Sequence, residues 1–233
     1  MRTRYAILSA AAYFFLLAAA QSAPVETVEK EGAGAVDYVF EVKAGERASR
    51  LVIREETRNG GRIYVSKTDD LEQFYRYDGE NRLVEWRFSN QGKNTAFTAM
   101  RDGASVVVRG SLKGEPVARS IETGEEPWLQ NSEFGLLPFA RSALKTIDFF
   151  AVDPDGIKRV TFRARKVQGE TLEWSGRKVE TLRIKAHLPG PLSLVWSATY
   201  WYALPDLTFI RYQASGGGGA PRTDIRLLEV IGP

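Results

Sequence analysis

The chain has no cysteine, one histidine and two methionines in 233 residues. Without cysteine it can form no disulfide, no thiolate metal site and no cysteine nucleophile. A single histidine, His187, argues against a zinc or copper centre. It also leaves any Ser-His-Asp arrangement one possible base. By alternation His187 shares a polar strand face with Thr181, Arg183 and Lys185, so it reads as an exposed strand residue. No G-x-S-x-G elbow occurs. Gly216 to Gly219 carries no following Lys-Ser/Thr and opens no helix, so it reads as a hairpin loop, not a phosphate cradle. Asp148, Asp153 and Asp155 lack the spacing and terminal Glu of a calcium loop, and Asp153-Pro154-Asp155-Gly156 reads as a turn. No metal or cofactor is expected.

The N-terminus carries the clearest address. Arg2 and Arg4 precede the apolar run Tyr5 to Ala20, and small residues follow at Ala18, Ala20, Ser22 and Ala23. That order is the layout of a cleaved secretory signal over residues 1–22. The run falls short of the roughly 20 apolar residues a spanning helix needs, so no stable membrane span is expected after cleavage. No cysteine stands near the cleavage site to take a lipid. Loss of Arg2 and Arg4 lowers the formal charge from +3 to +1. The sequence pI of 9.1 therefore does not indicate nucleic-acid binding. Residues 23–34 are polar and read as a flexible lead-in.

From residue 35 to 231 the pattern is that of a single β domain. Val36, Tyr38, Phe40 and Val42 share one strand face; Leu51 with Ile53, then Ile63 with Val65, continue the expected buried side. Arg58-Asn59-Gly60-Gly61 contains the Asn-Gly pair of tight hairpins. Val84, Trp86 and Phe88 share a face, as do Val160, Phe162 and Ala164, and later Leu182, Ile184, Ala186 and Leu188. Turn signals recur about every 8–12 residues, which indicates an antiparallel meander. The rhythm breaks between Glu125 and Lys145. There Ser132 is placed to cap a helix and Pro138 to open one. This segment reads as a helical or irregular insertion that covers one face or end of the sheet.

The closing stretch is W-x-x-x-Y-W-Y-x-L-P-D-L-x-x-x-R-Y from Trp196 to Tyr212, followed by a last strand at Ile225 to Val230. With the leader, the meander and the interruption near Trp128 to Lys145, it resembles a family of secreted Gram-negative proteins of unknown function. The curved sheet of that family is similar to the Lol-type periplasmic lipoprotein carriers. The resemblance spans most of residues 36–230. It implies a mainly β fold: an antiparallel meander curved into a half-barrel, with one short helical insertion over the concave face. It carries over no functional residue.

The leading expectation is a periplasmic, non-catalytic binding or envelope-assembly protein. Its ligand would be a lipid, an acyl chain or a lipoprotein. Trp86, Phe88, Trp174, Trp196, Trp201 and Phe209 are the candidate ligand-binding residues, because large rings can line an apolar concave surface as well as fill a core. One alternative is an envelope glycan- or lipid-modifying hydrolase using carboxylates from Glu133, Asp148, Glu173 and Asp206, although no spacing selects a pair. The other is a structural partner of another envelope protein, paired through a sheet edge.

Overall fold

The computed structural model describes residues 34–216 and 222–232. The leader over residues 1–22, nearly all of the expected lead-in, and Gly217 to Gly219 of the glycine run lie outside the described residues. The first half of the chain forms β1 (Val36–Ala44), β2 (Arg47–Arg58), β3 (Gly61–Lys67), β4 (Leu71–Tyr77), β5 (Leu83–Asn90), β6 (Thr95–Asp102), β7 (Ser105–Leu112) and β8 (Glu115–Glu122). Two helical turns follow, α1 (Ser132–Gly135) and α2 (Leu137–Arg141). The second half forms β9 (Thr146–Asp153), β10 (Lys158–Val167), β11 (Thr171–Trp174), β12 (Arg177–His187), β13 (Trp196–Ala203), β14 (Thr208–Gly216) and β15 (Thr223–Ile231).

All these strands belong to one antiparallel sheet of fifteen strands. Its order is β8-β7-β6-β5-β4-β3-β2-β1-β15-β14-β13-β12-β10-β9, with β11 paired only to β12. The first and last strands therefore meet in the middle of the sheet. The two edges, β8 and β9, are consecutive in the chain and joined by residues 123–145. The Asn-Gly hairpin forms as expected: Asn59 and Gly60 have φ of 52° and 75°, the left-handed pair that a two-residue turn requires.

The sheet curls but does not close into a barrel. No ladder joins β8 to β9 among the described residues. Side chains bridge the ends instead. Arg119 Nη1 donates to the Gly156 carbonyl at 2.8 Å, and Arg159 Nη1 donates to the Glu122 carbonyl at 3.0 Å. Lys93 Nζ reaches Asp155 at 2.9 Å. The β9 edge is also covered. Leu129 N donates to the Phe150 carbonyl and Phe150 N to the Pro127 carbonyl. The Gln130 amide then takes the place of a further strand residue, accepting from Val152 N and donating to Val152 O, each at 2.9 Å. A buried edge with these groups unpaired would be costly, and an exposed one would invite pairing with another chain.

Two local corrections to the alternation follow from the register. In β3 the inward residues are Tyr64 and Ser66, so Val65 lies on the outer face. Ile63 is buried as well, which makes the strand ambiguous by hydropathy. In the insertion, Asn131 rather than Ser132 is the N-cap, its side chain accepting from Phe134 N at 3.4 Å. Pro138 does open the second turn.

Candidate functional site

The segment Trp128–Ala140 runs inside the curled sheet. Every residue in it is buried except Pro138. Its local shape follows from its sequence. Asn131 caps the first turn, Gly135 N bonds the Asn131 carbonyl at 2.7 Å, and Leu136 N bonds the Ser132 carbonyl at 3.0 Å. A Cβ on Gly135 would stand 3.3 Å from the Tyr77 hydroxyl, so this position has little room for a side chain. Ser142 ends the second turn, its Oγ donating to the Phe139 carbonyl at 2.8 Å.

The segment touches both halves of the sheet. The Phe134 ring stacks on Tyr64 at 4.4 Å and meets Tyr38 at 5.3 Å and Phe209 at 6.4 Å. Tyrosine hydroxyls bind its polar groups. The Tyr202 hydroxyl donates to the Glu133 carbonyl at 3.0 Å, Tyr200 shares a 2.8 Å bond with Ser132 Oγ, and Tyr77 donates to the Asn131 carbonyl at 3.4 Å. The concave face thus holds a length of polypeptide by one aromatic slot and a row of hydroxyl donors.

Glu133 lies at the centre of this arrangement. No Lys, Arg or His among the described residues pairs with it. Burial pushes its carboxyl up to about 8, against the weaker pull of its own backbone N–H. It is therefore protonated at neutral pH. Tyr75, Tyr77, Tyr200, Tyr202 and Tyr212 surround it, and burial raises each of their hydroxyls well above the ordinary range. The group is neutral throughout, as a site closed to water requires.

The six sequence-selected aromatic residues divide among three places. Trp86 and Phe88 pack with Phe97 on the inner face, with ring separations of 5.0 to 5.5 Å. The Trp86 indole N–H is buried with no hydrogen-bond partner. Phe209 meets Phe40, Tyr200 and Tyr202, and Trp196 meets Phe162 at 5.2 Å. Trp201 occupies the opposite face of β13 from Tyr200 and Tyr202. Its indole N–H donates to Glu170 at 2.6 Å, and the Arg211 guanidinium lies 5.3 Å from its ring. Trp174 belongs to the β11–β12 arm and donates to the Leu227 carbonyl at 3.1 Å. The structure brings Trp86, Phe88, Trp196 and Phe209 to the inner face and leaves Trp174 and Trp201 elsewhere.

The carboxylates of the hydrolase alternative do not converge on Glu133. Asp148 pairs with Arg163 at 2.7 Å, while Glu173 and Asp206 are exposed. No group of three or more metal-ligating residues occurs among the described residues. Asp153 and Asp155 form the expected turn, Asp153 Oδ1 accepting from Asp155 N at 3.0 Å. Sequence reasoning named Glu133 only as one carboxylate among many. Its place between two helix signals was the available hint that it sat in the cover, not in a loop.

No protein-family model matches the chain, and no curated protein matches it. Its fold has solved relatives. One is the β-barrel-like protein of a domain of unknown function, DUF1849, from Brucella abortus. It superposes with a TM-score of 0.60 at 10% identity, covering 86% of this chain and 98% of that one. At that identity the likeness establishes the fold alone. The hypothetical lipoprotein YmcC from Escherichia coli aligns over 85% of this chain and 87% of its own, with a TM-score of 0.37 and 13% identity, too low to carry an argument.

Proposed function

We propose that this chain is a non-catalytic binding protein of the cell envelope, exported to the periplasm after loss of residues 1–22, that holds an acyl chain or lipid on its concave face. One observation carries the reading. The concave wall is aromatic from both halves of the sheet, and what fills it is a connecting segment, not a strand of the sheet. Segment 131–141 occupies the place of the ligand and leaves when the ligand enters, while Leu129 and Gln130 stay on the β9 edge. Trp86, Phe88, Trp196 and Phe209 then form the wall, and the unpaired Trp86 N–H supplies a donor for a ligand carbonyl. Trp174 and Trp201 hold the β11–β12 arm against the outer face. With the segment in place burial keeps Glu133 neutral, in keeping with a concavity closed to water.

Full-length protein recovered from the periplasm is expected to carry an acyl species in native mass spectrometry. A brominated fatty acid added to delipidated protein should quench fluorescence from Trp86 and Trp196. A clean apo mass together with unquenched fluorescence would overturn the proposal.

A further inference from the structure

The polar contacts between the inner segment and its wall form a pattern of their own. Three buried tyrosine hydroxyls meet three successive residues at the start of α1. Tyr77 donates to the Asn131 carbonyl at 3.4 Å, Tyr200 shares a 2.8 Å bond with Ser132 Oγ, and Tyr202 donates to the Glu133 carbonyl at 3.0 Å. Tyr77 ends β4, whereas Tyr200 and Tyr202 stand on the inner face of β13. The hydroxyls therefore come from both halves of the sheet. They address three separate oxygens, two carbonyls with a hydroxymethyl group between them, and do not converge on one atom.

Buried hydroxyls need partners, so a ligand that displaces the segment has to bring oxygens to these places. A plain hydrocarbon brings none. An anion fits poorly, because the wall offers it only neutral donors in exchange for its water. The site already contains one carboxyl, that of Glu133, and burial keeps it protonated at neutral pH. Arg62, beyond Tyr64 on the inner face, lies 3.8 Å from Glu55, so that cation already faces a carboxylate.

Two carbonyls beside one hydroxymethyl group are the polar atoms of a 1,2-diacylglycerol. Its ester carbonyls replace those of Asn131 and Glu133, and its free hydroxymethyl replaces that of Ser132. We infer that the concave face selects an uncharged diacylglycerol, with Tyr77 and Tyr202 donating to its ester carbonyls and Tyr200 bonding its hydroxyl. One acyl chain takes the slot that Phe134 leaves between Tyr64, Tyr38 and Phe209. The other lies along Trp86 and Phe88. This inference rests on the lipid reading of the concave face and adds which lipid that face prefers.

Full-length protein whose tryptophan fluorescence is quenched by the brominated fatty acid is titrated with three competitors of equal chain length. They are 1,2-dioctanoylglycerol, the matching dioctyl ether, which lacks both carbonyls, and dioctanoyl phosphatidate, which carries a charge in place of the hydroxyl. The diacylglycerol should displace the probe at concentrations about ten-fold lower than either of the others, the effect expected for two neutral hydrogen bonds. Tyr77→Phe combined with Tyr202→Phe removes both carbonyl donors. Those hydroxyls also hold the segment, so the quantity read is the ratio of diester to diether affinity, which should fall toward one. Equal displacement by diester and diether in the parent would overturn the inference. So would a phosphatidate that competes as well as the diacylglycerol, or a ratio unchanged in the double variant; each of these leaves the lipid reading standing. A brominated fatty acid that quenches nothing removes the lipid reading, and the inference with it.

Discussion

On the inner face of the sheet Glu133 lies among five tyrosines with no cation beside it. On the outer face Asp224 accepts hydrogen bonds from Arg211, Arg226 and Gln213 at 2.8 to 3.1 Å. Both carboxyls lose water, and their responses are opposite. Burial raises Glu133 to about 8 because nothing answers its charge. Burial also pushes Asp224 up, but the donors around it outweigh that effect and hold it at about 2. Around Glu133 the inner face therefore holds its acid without a cation, although further along that face Glu55 accepts from Tyr38 and Tyr64 and lies 3.8 Å from Arg62; the outer face organises charge into pairs such as Arg54–Asp37 and Arg76–Glu85–Arg87. A buried acid kept neutral suits a face that packs against chain or lipid, and paired charges suit a face in contact with water.

The largest test of this contrast is pH. Glu133 has a folded value near 8 and an ordinary value of 4.5, so its contribution is fully present below pH 4.5 and is lost as pH rises through 8. The difference is on the order of 5 kcal/mol. Denaturant midpoints at pH 5, 7 and 9 should therefore fall faster for the parent than for Glu133→Gln, which should be the more stable of the two at pH 9. Parallel pH profiles would mean that the carboxyl meets water or a cation, and the contrast between faces would fail.

Next in size is the aromatic slot. Phe134→Ala removes the ring that ties the inner segment to Tyr64, Tyr38 and Phe209. A loss of about 3–5 kcal/mol is expected for a buried phenylalanine. Thermal unfolding measures it. A loss below about 1 kcal/mol would show that the segment is held by its hydroxyl bonds and not by its ring.

The smallest effect belongs to Asp224. Its stabilisation is present above an ordinary value of 3.8 and lost as pH falls toward 2, the reverse direction to Glu133. Asp224→Asn should destabilise the protein by about 1–2 kcal/mol at pH 7, after allowance for partial exposure, and leave it nearly unaffected at pH 2. An equal loss at both pH values would assign the effect to packing.

Much of the inner wall was legible in residue order. Phe162 with Ala164, and Ile184 with Ala186, alternate as the structure arranges them, and Asn59-Gly60 marks its turn; in β1 Val39 is buried beside Phe40, where the register with β15 shifts. Trp196 and Trp201 show an available signal left unused: residues five apart on a strand fall on opposite faces. The bulge between Trp201 and Tyr202 was not legible, and it brings Tyr202 opposite Phe209. Nor was the parity of β3, where Ile63 and Tyr64 are both buried and only the pairing of Tyr64 with Glu55 and Tyr75 decides the side.

By itself the sequence determined the strand pattern, the position of the break at 125–145, and the absence of thiol chemistry, since period-two alternation and residue type are local properties. Only the tertiary structure decided that β1 and β15 meet mid-sheet and that the insertion expected over the concave face links the two edge strands. The environment of Glu133 follows from that path and not from its neighbours in sequence. A carboxyl's charge state depends on what surrounds it in space, and here β4, β13 and β14 supply those surroundings.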